Sequence, residues 1–306
     1  MKIKKFLQQI FSVKNNNNHK IVTLLGFKIK FPNPKYFIKS LFSRQISRQT
    51  YINSRLLTAF NMNKDFKKYK GCNRGKNVVL IAAGPTVNDF TPIKNAIYVG
   101  CNRAFLFNKV KFDYLFAIDK VGINKYFDEF FEYEKESCIK FIGDQNVGKD
   151  FQIPENLIPL NNTHRYVTNL GIDEAMPYFP LDISTLPLYN SATVSIQAMQ
   201  FILYTQPQKI YIVGVDCTCG TKQHFTGNNT NCEFRKENVY KNDIISIESY
   251  KLIKDFAQIY YPQTEIISVN PIGLKGIFKD VYTKAYIEKN KEIINKFERN
   301  LTFLEE

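Results

Sequence analysis

Residues 77–87, Asn-Val-Val-Leu-Ile-Ala-Ala-Gly-Pro-Thr-Val, constrain the fold more than any other stretch of this chain. Val78, Val79, Leu80 and Ile81 form a continuous apolar run, which suits a parallel strand covered on both faces rather than a half-exposed one. Gly84-Pro85 forbids the strand from continuing, and Thr86 stands where it can cap the next element. Such a turn is either an ordinary strand-to-helix connection or a phosphate site. Backbone N–H groups at strand ends and helix starts suit anions, and crevices at the carboxyl ends of parallel strands are habitual ligand sites.

From residue 77 onward the pattern alternates between strand and helix, which predicts an α/β, Rossmann-like, mostly parallel sheet with helices on both faces. The strands are expected at 78–82, 96–99, 114–118, 138–142, 209–213 and 265–268. The helices are expected at 124–135, 191–204, 245–260 and 284–303. Residues 152–188, rich in Pro, Asn and Tyr, read as an irregular insertion of the kind that serves as a loop, a lid or an acceptor-binding region.

Charge separates this body from the segment that precedes it. Residues 1–76 carry 18 Lys/Arg and one acid, Asp65, whereas residues 77–306 carry 24 Lys/Arg and 27 acids. The expected organisation is therefore a basic N-terminal appendage over 1–76 and a nearly neutral Rossmann-like domain over 77–306. An excess confined to one terminal segment argues against a nucleic-acid groove and for contact with an anionic membrane surface through residues 1–31. Within the appendage, residues 1–13 place Ile3, Phe6, Leu7, Ile10 and Phe11 at helical spacing with lysines opposite, which predicts a short amphipathic helix, interfacial or docked. Residues 15–18 read as a polar linker. Residues 21–31 read as a hairpin closed by Pro32 and Pro34, and 36–69 as one or two helices. No window carries about eighteen uninterrupted apolar residues. The chain is accordingly expected in the cytoplasm, peripheral at the inner face of the cytoplasmic membrane.

Six cysteines without paired CxxC spacing read as reduced thiols. Cys217-x-Cys219 with Cys232 and His224 has one intervening residue where zinc sites have two to four, and no metal is assigned.

Three further strand ends carry polar groups. Asn102 and Arg103 come after the strand at 96–99, offering an amide and a charge to a phosphate. Asp119 comes after the strand at 114–118, and Asp216 after Gly214-Val215, with His224 beyond it in Gln-His-Phe-Thr-Gly. Asn190-Ser191 opens an apolar helix as an N-cap and offers a second helix start to an anion. His224 is either a loop histidine or a general base, the usual role of an imidazole near neutral pH.

The succession Leu-Ile-Ala-Ala-Gly-Pro-Thr, Gly-Cys-Asn-Arg-Ala-Phe, Asn-Ser-Ala, Lys-Ile-Tyr-Ile-Val-Gly-Val-Asp and His-Phe-Thr-Gly resembles the Rossmann-like bacterial sialyltransferases. It also resembles the wider group of surface-glycan proteins related to archaeal pterin pyrophosphokinases, in both cases over residues 77–280. The leader is similar to the starts of bacterial lipopolysaccharide glycosyltransferases. The resemblance implies a metal-independent inverting glycosyltransferase of lipopolysaccharide, lipooligosaccharide or capsule synthesis, with no cofactor, a nucleotide-sugar donor such as CMP-sialic acid and a glycan or glycolipid acceptor. Gly84, Pro85 and Thr86 would line the nucleotide phosphates, Asn102 and Ser191 would contact the donor, and His224 would deprotonate the acceptor. Two departures stand out. Ala83 replaces an asparagine of the sialyltransferase turn, and Cys217-Thr218 comes after Asp216 where those enzymes have Phe-Tyr, which leaves Tyr240 as the nearest substitute. Two other readings are a Mg²⁺-dependent pyrophosphokinase-like phosphoryl transferase with the metal at Asp119 and Asp216, and a non-catalytic nucleotide- or glycan-binding scaffold.

Overall fold

The computed structural model describes residues 11–15, 19–24, 27–32, 34–118, 126–143, 162–169, 179–191, 193–218, 225, 236–291 and 301–304. The chain forms two compact units, Met1–Ser54 and Arg55–Glu306.

In the first unit, β1 (Phe11–Asn15), β2 (His19–Leu24) and β3 (Phe27–Pro32) make an antiparallel sheet in that order. The hairpin expected at 21–31 is β2–β3, ended by Pro32. The helix expected at 1–13 falls largely outside the described residues, but its last three positions are strand. Phe11-Ser12-Val13-Lys14 alternates with period 2, and its backbone groups pair with β2 from Phe11↔Leu24 to Asn15↔Lys20, so the sheet takes residues that helical spacing also fitted. Helix α1 (Pro34–Met62) comes next, with Pro34 at its first turn.

The second unit is built on β4 (Asn77–Ile81), β5 (Ile97–Cys101), β6 (Tyr114–Ala117), α2 (Phe127–Glu132), β7 (Ile139–Gly143), β8 (Thr163–Tyr166), the two-residue pair β9 (Thr168–Asn169) and β10 (Leu188–Tyr189), α3 (Val194–Tyr204), β11 (Lys209–Val213), α4 (Lys236–Tyr260), β12 (Glu265–Val269), β13 (Lys279–Val281) and α5 (Lys284–Lys289). Eight of the strands form one sheet in the order β13-β12-β11-β4-β5-β6-β7-β8, every pair parallel. The fold is the α/β, Rossmann-like one expected.

The apolar run of β4 is divided between two cores. Val78 and Leu80 face a cluster with α3, α4 and Phe66, while Val79 and Ile81 face another with Phe90, Phe105 and the α2 residues Phe130 and Phe131. Each side chain is removed from water, which is why this strand shows no polar alternation.

Four local expectations differ from the structure. Residues 55–76, grouped with the leader by charge, lie in the same compact unit as the sheet, and Phe66 and Tyr69 are part of its core. The span 152–188 contains β8, which pairs with β7 from Lys140↔Thr163 to Gly143↔Tyr166. The helix expected at 284–303 is interrupted by a turn at Asn290 after Lys284–Lys289, and residues 292–300 of it lie outside the described residues. Its end differs: around Phe303 the chain is extended, where Tyr282 N–H donates to Thr302 O at 2.9 Å and Leu304 N–H to Tyr282 O at 3.0 Å. The helix expected from 191 starts at Val194, and its cap is Thr193, whose side chain accepts from Ser195 N–H.

Candidate functional site

Strand order places the crevice. From β4 the sheet runs one way through β5 to β8 in sequence order and the other way through β11 to β13, so the loops leaving β4 and β11 part at a topological switch point. These two strands are in register, Ile81 against Val213, and their tails stay paired beyond the sheet: Ala82 N–H donates to Val213 O at 2.9 Å and Gly84 N–H to Gly214 O at 2.8 Å.

Asp216 closes this junction. Its carboxylate accepts Thr86 N–H at 3.0 Å and the Thr86 hydroxyl at 2.5 Å, with both residues buried. Burial pushes the Asp216 carboxyl above its usual range, opposed by the two Thr86 bonds. This contact explains the glycines. A Cβ on Gly84 would lie 2.5 Å from both Asp216 Cγ and Gly214 O, and one on Gly214, at φ +70°, would lie 2.3 Å from Val87 Cγ2. Beyond Asp216 the backbone turns sharply at Cys217, at φ +45°, and Gly273 N–H donates to Asp216 O at 2.8 Å. The donors at the turn are thereby used internally: Gly84 on Gly214, Thr86 on Asp216, and Val87 N–H on Gly84 O at 3.2 Å. In this conformation Gly84, Pro85 and Thr86 form a packed joint between two strands, not an open cradle of N–H groups.

Asn102 sits at the adjacent strand end, directly after β5. It is held at φ +51°, and its side-chain oxygen is buried with no hydrogen-bond partner among the described residues. A left-handed asparagine with an unmet acceptor at the carboxyl edge is the kind of local cost that functional sites carry. Arg103 is buried, its guanidinium 5.9 Å from the Tyr126 ring. Phe225 N–H donates to Ala83 O at 2.8 Å and its ring lies against Phe107, so Phe225 is pinned onto the residue before Gly84.

Helix α3 ends four residues before β11 begins, so it runs back along the sheet and its start lies at the carboxyl edge. There Asn190 is buried and accepts from Gln197 Nε2 at 2.7 Å, and Ser191 accepts from the Ser249 hydroxyl of α4 at 2.9 Å. Tyr250 of α4 lies beneath, beside Ser195 and near Cys101 and Cys217, its phenol pushed well up by burial. The structure thus joins Gly84, Thr86 and Asp216 directly and places Asn102 and Ser191 on neighbouring elements at the same edge. Arg103, next to Asn102 after the same strand, lies with its guanidinium over the Tyr126 ring.

Asp119 and His224 lie outside the described residues, as do Cys219 and Cys232 and the side chain of Tyr240. Among the described residues no group of three or more His, Cys, Asp or Glu side chains gathers as a metal site. Sequence reading missed Thr193, Tyr250 and Phe225. Only Thr193 had a signal, as a threonine immediately before an apolar helical run.

The fold and the switch-point joint define an α/β, Rossmann-like protein whose sheet has its topological switch point between β4 and β11. No protein-family model matches this chain, and no curated protein matches it in sequence. Among solved structures it is similar to the MAf glycosyltransferase from Magnetospirillum magneticum AMB-1, at 12% identity and a TM-score of 0.43, over 75% of this chain and 38% of that one. The chain therefore spans well under half the length of that protein.

Proposed function

We propose that this protein is an inverting glycosyltransferase that uses a nucleotide-activated sugar, CMP-linked sugars of the sialic acid type among them, to build a bacterial surface glycan. The observation that supports the reading is the hydrogen bond from Phe225 N–H to Ala83 O, which fixes the residue next to His224 in sequence against the turn that follows β4. In the proposed reaction the His224 imidazole takes the acceptor hydroxyl proton while the acceptor oxygen bonds to the anomeric carbon. The bond from that carbon to the phosphate oxygen breaks, and its electron pair leaves with the phosphate. The start of α3 and the Asn102 carboxamide are the groups of the described edge suited to receive that charge. Thr86 acts here as a joint, since Asp216 already holds both its donors. The Mg²⁺-dependent alternative asks for a carboxylate that Thr86 occupies on both oxygens.

Thermal-shift measurements with CMP, CDP, UDP, GDP and ATP test the proposal, because a ligand bound only by the native state raises its apparent stability. A nucleotide preference, together with sugar transfer in EDTA, is the expected result. In the preferred reaction His224→Ala lowers kcat by about 10²–10⁴-fold. Asn102→Ala weakens nucleotide binding by about tenfold, the loss of one buried hydrogen bond. Transfer that is unchanged in a folded His224→Ala protein, or lost on removing Mg²⁺, defeats this mechanism.

A further inference from the structure

The cross-strand register of the N-terminal sheet sorts its side chains into two unlike faces. Val13 pairs with Val22 and Val22 with Ile29, so one row across the three strands is wholly apolar, and Phe27, two residues before Ile29, stands on the same face. Phe27, Ile29 and Val13 are exposed at 77%, 48% and 42% of their surface. The opposite face takes the intervening residues, in the rows Ser12–Thr23–Lys28 and Lys14–Ile21–Lys30, and Lys14, Lys28 and Lys30 are all exposed. The unit that carries this sheet, residues 1–54, contains eleven Lys or Arg and no Asp or Glu.

We propose that this sheet is a membrane-docking surface that lies flat on an anionic bilayer, Phe27, Ile29 and Val13 entering the boundary of the acyl chains and Lys14, Lys28 and Lys30 remaining among the headgroups. Charge complementarity selects the occupant. An apolar face backed by lysines, on a unit with no acidic side chain, gains from both apolar burial and anionic lipid, the two terms that interfacial elements combine. Exposed aromatic and branched side chains on a small sheet otherwise stand against water. A second copy of the same face would bring two wholly basic units together. Among the described residues no helix is long and apolar enough to cross a membrane, so the contact proposed is interfacial.

The chain contains no tryptophan, so Phe27→Trp in the full-length protein supplies a single indole reporter at the most exposed position of the face. Its emission should move to shorter wavelength with phosphatidylserine-containing vesicles and stay unchanged with phosphatidylcholine vesicles. Sedimentation of the full chain with the anionic vesicles should fall at least tenfold in Phe27→Ser/Ile29→Ser, and about fivefold for each of Lys14, Lys28 and Lys30 changed to Gln, with the lysine effect lost at high salt. An indole indifferent to anionic vesicles overturns the proposal, as does binding insensitive to both sets of substitutions. If Phe27→Ser/Ile29→Ser instead converts a dimer to a monomer, the face joins two copies of the chain and the proposal fails.

Discussion

Thr86 gives both its backbone N–H and its hydroxyl to the carboxylate of Asp216, 130 residues further along the chain. The contact ties the tail of β4 to the tail of β11, the two strands between which the sheet changes direction. A carboxylate out of water is costly unless its oxygens are satisfied, and here one threonine satisfies both.

Asp216→Ala removes both acceptors and leaves a buried N–H unpaired, so it should lower unfolding stability by about 3 kcal/mol in a denaturant titration. Asp216→Asn keeps the shape and sheds the charge. Because burial raises the carboxyl pKa in the folded protein above its ordinary value of 3.8, the protonated form is the one the fold favours. The contribution of Asp216 is therefore greatest below pH 3.8 and declines as pH rises through the raised folded value. Stability measured relative to Asp216→Asn should fall across that acidic window. A difference that grows with pH would show that the Thr86 bonds outweigh burial.

Gly84→Ala places a methyl 2.5 Å from Asp216 Cγ and Gly214 O, inside a joint with no space to yield. The expected cost is about 2–3 kcal/mol, the range of overpacking in a tight core. Since two of the three closest contacts are with Asp216, the double variant Gly84→Ala/Asp216→Ala should lose less than the sum of the two singles, and thermal denaturation of the four proteins measures the coupling.

Asn63 is fully buried and makes three hydrogen bonds that hold the 182–188 segment and the end of β8 against the core. Its Nδ2 donates to Ile183 O at 3.1 Å and Leu186 O at 2.9 Å, and its Oδ1 accepts from Val167 N–H at 2.8 Å. Asn63→Leu strands three backbone groups and should destabilise by about 3 kcal/mol or more. Hydrogen exchange at Val167 should accelerate further than at the β4 amides. Equal protection at Val167 in the variant would mean another group replaces the asparagine.

Much of the body was legible in order because burial on two faces leaves a mark on consecutive residues. The apolar runs of β4 and β11 mark those strands, β11 within its observed limits of Lys209–Val213. Thr-His-Arg-Tyr gives β8 no such mark, since it is an edge strand with a polar middle, and only its pairing with β7 makes it a strand. Phe11–Asn15 fits a helix and a strand equally well by local pattern, and the neighbouring hairpin settles it through hydrogen bonds.

By itself the sequence determined the class of fold, the division of charge and the place where β4 must end, because apolar periodicity, proline sterics and glycine freedom act over a few adjacent residues. The tertiary structure decided what that ending is for. Gly84 has room for no side chain because Asp216 and Gly214 approach it, and Thr86 turns inward because a buried carboxylate needs donors. Those partners lie more than a hundred residues away, and only the parallel pairing of β4 with β11 brings them within a hydrogen bond of one another.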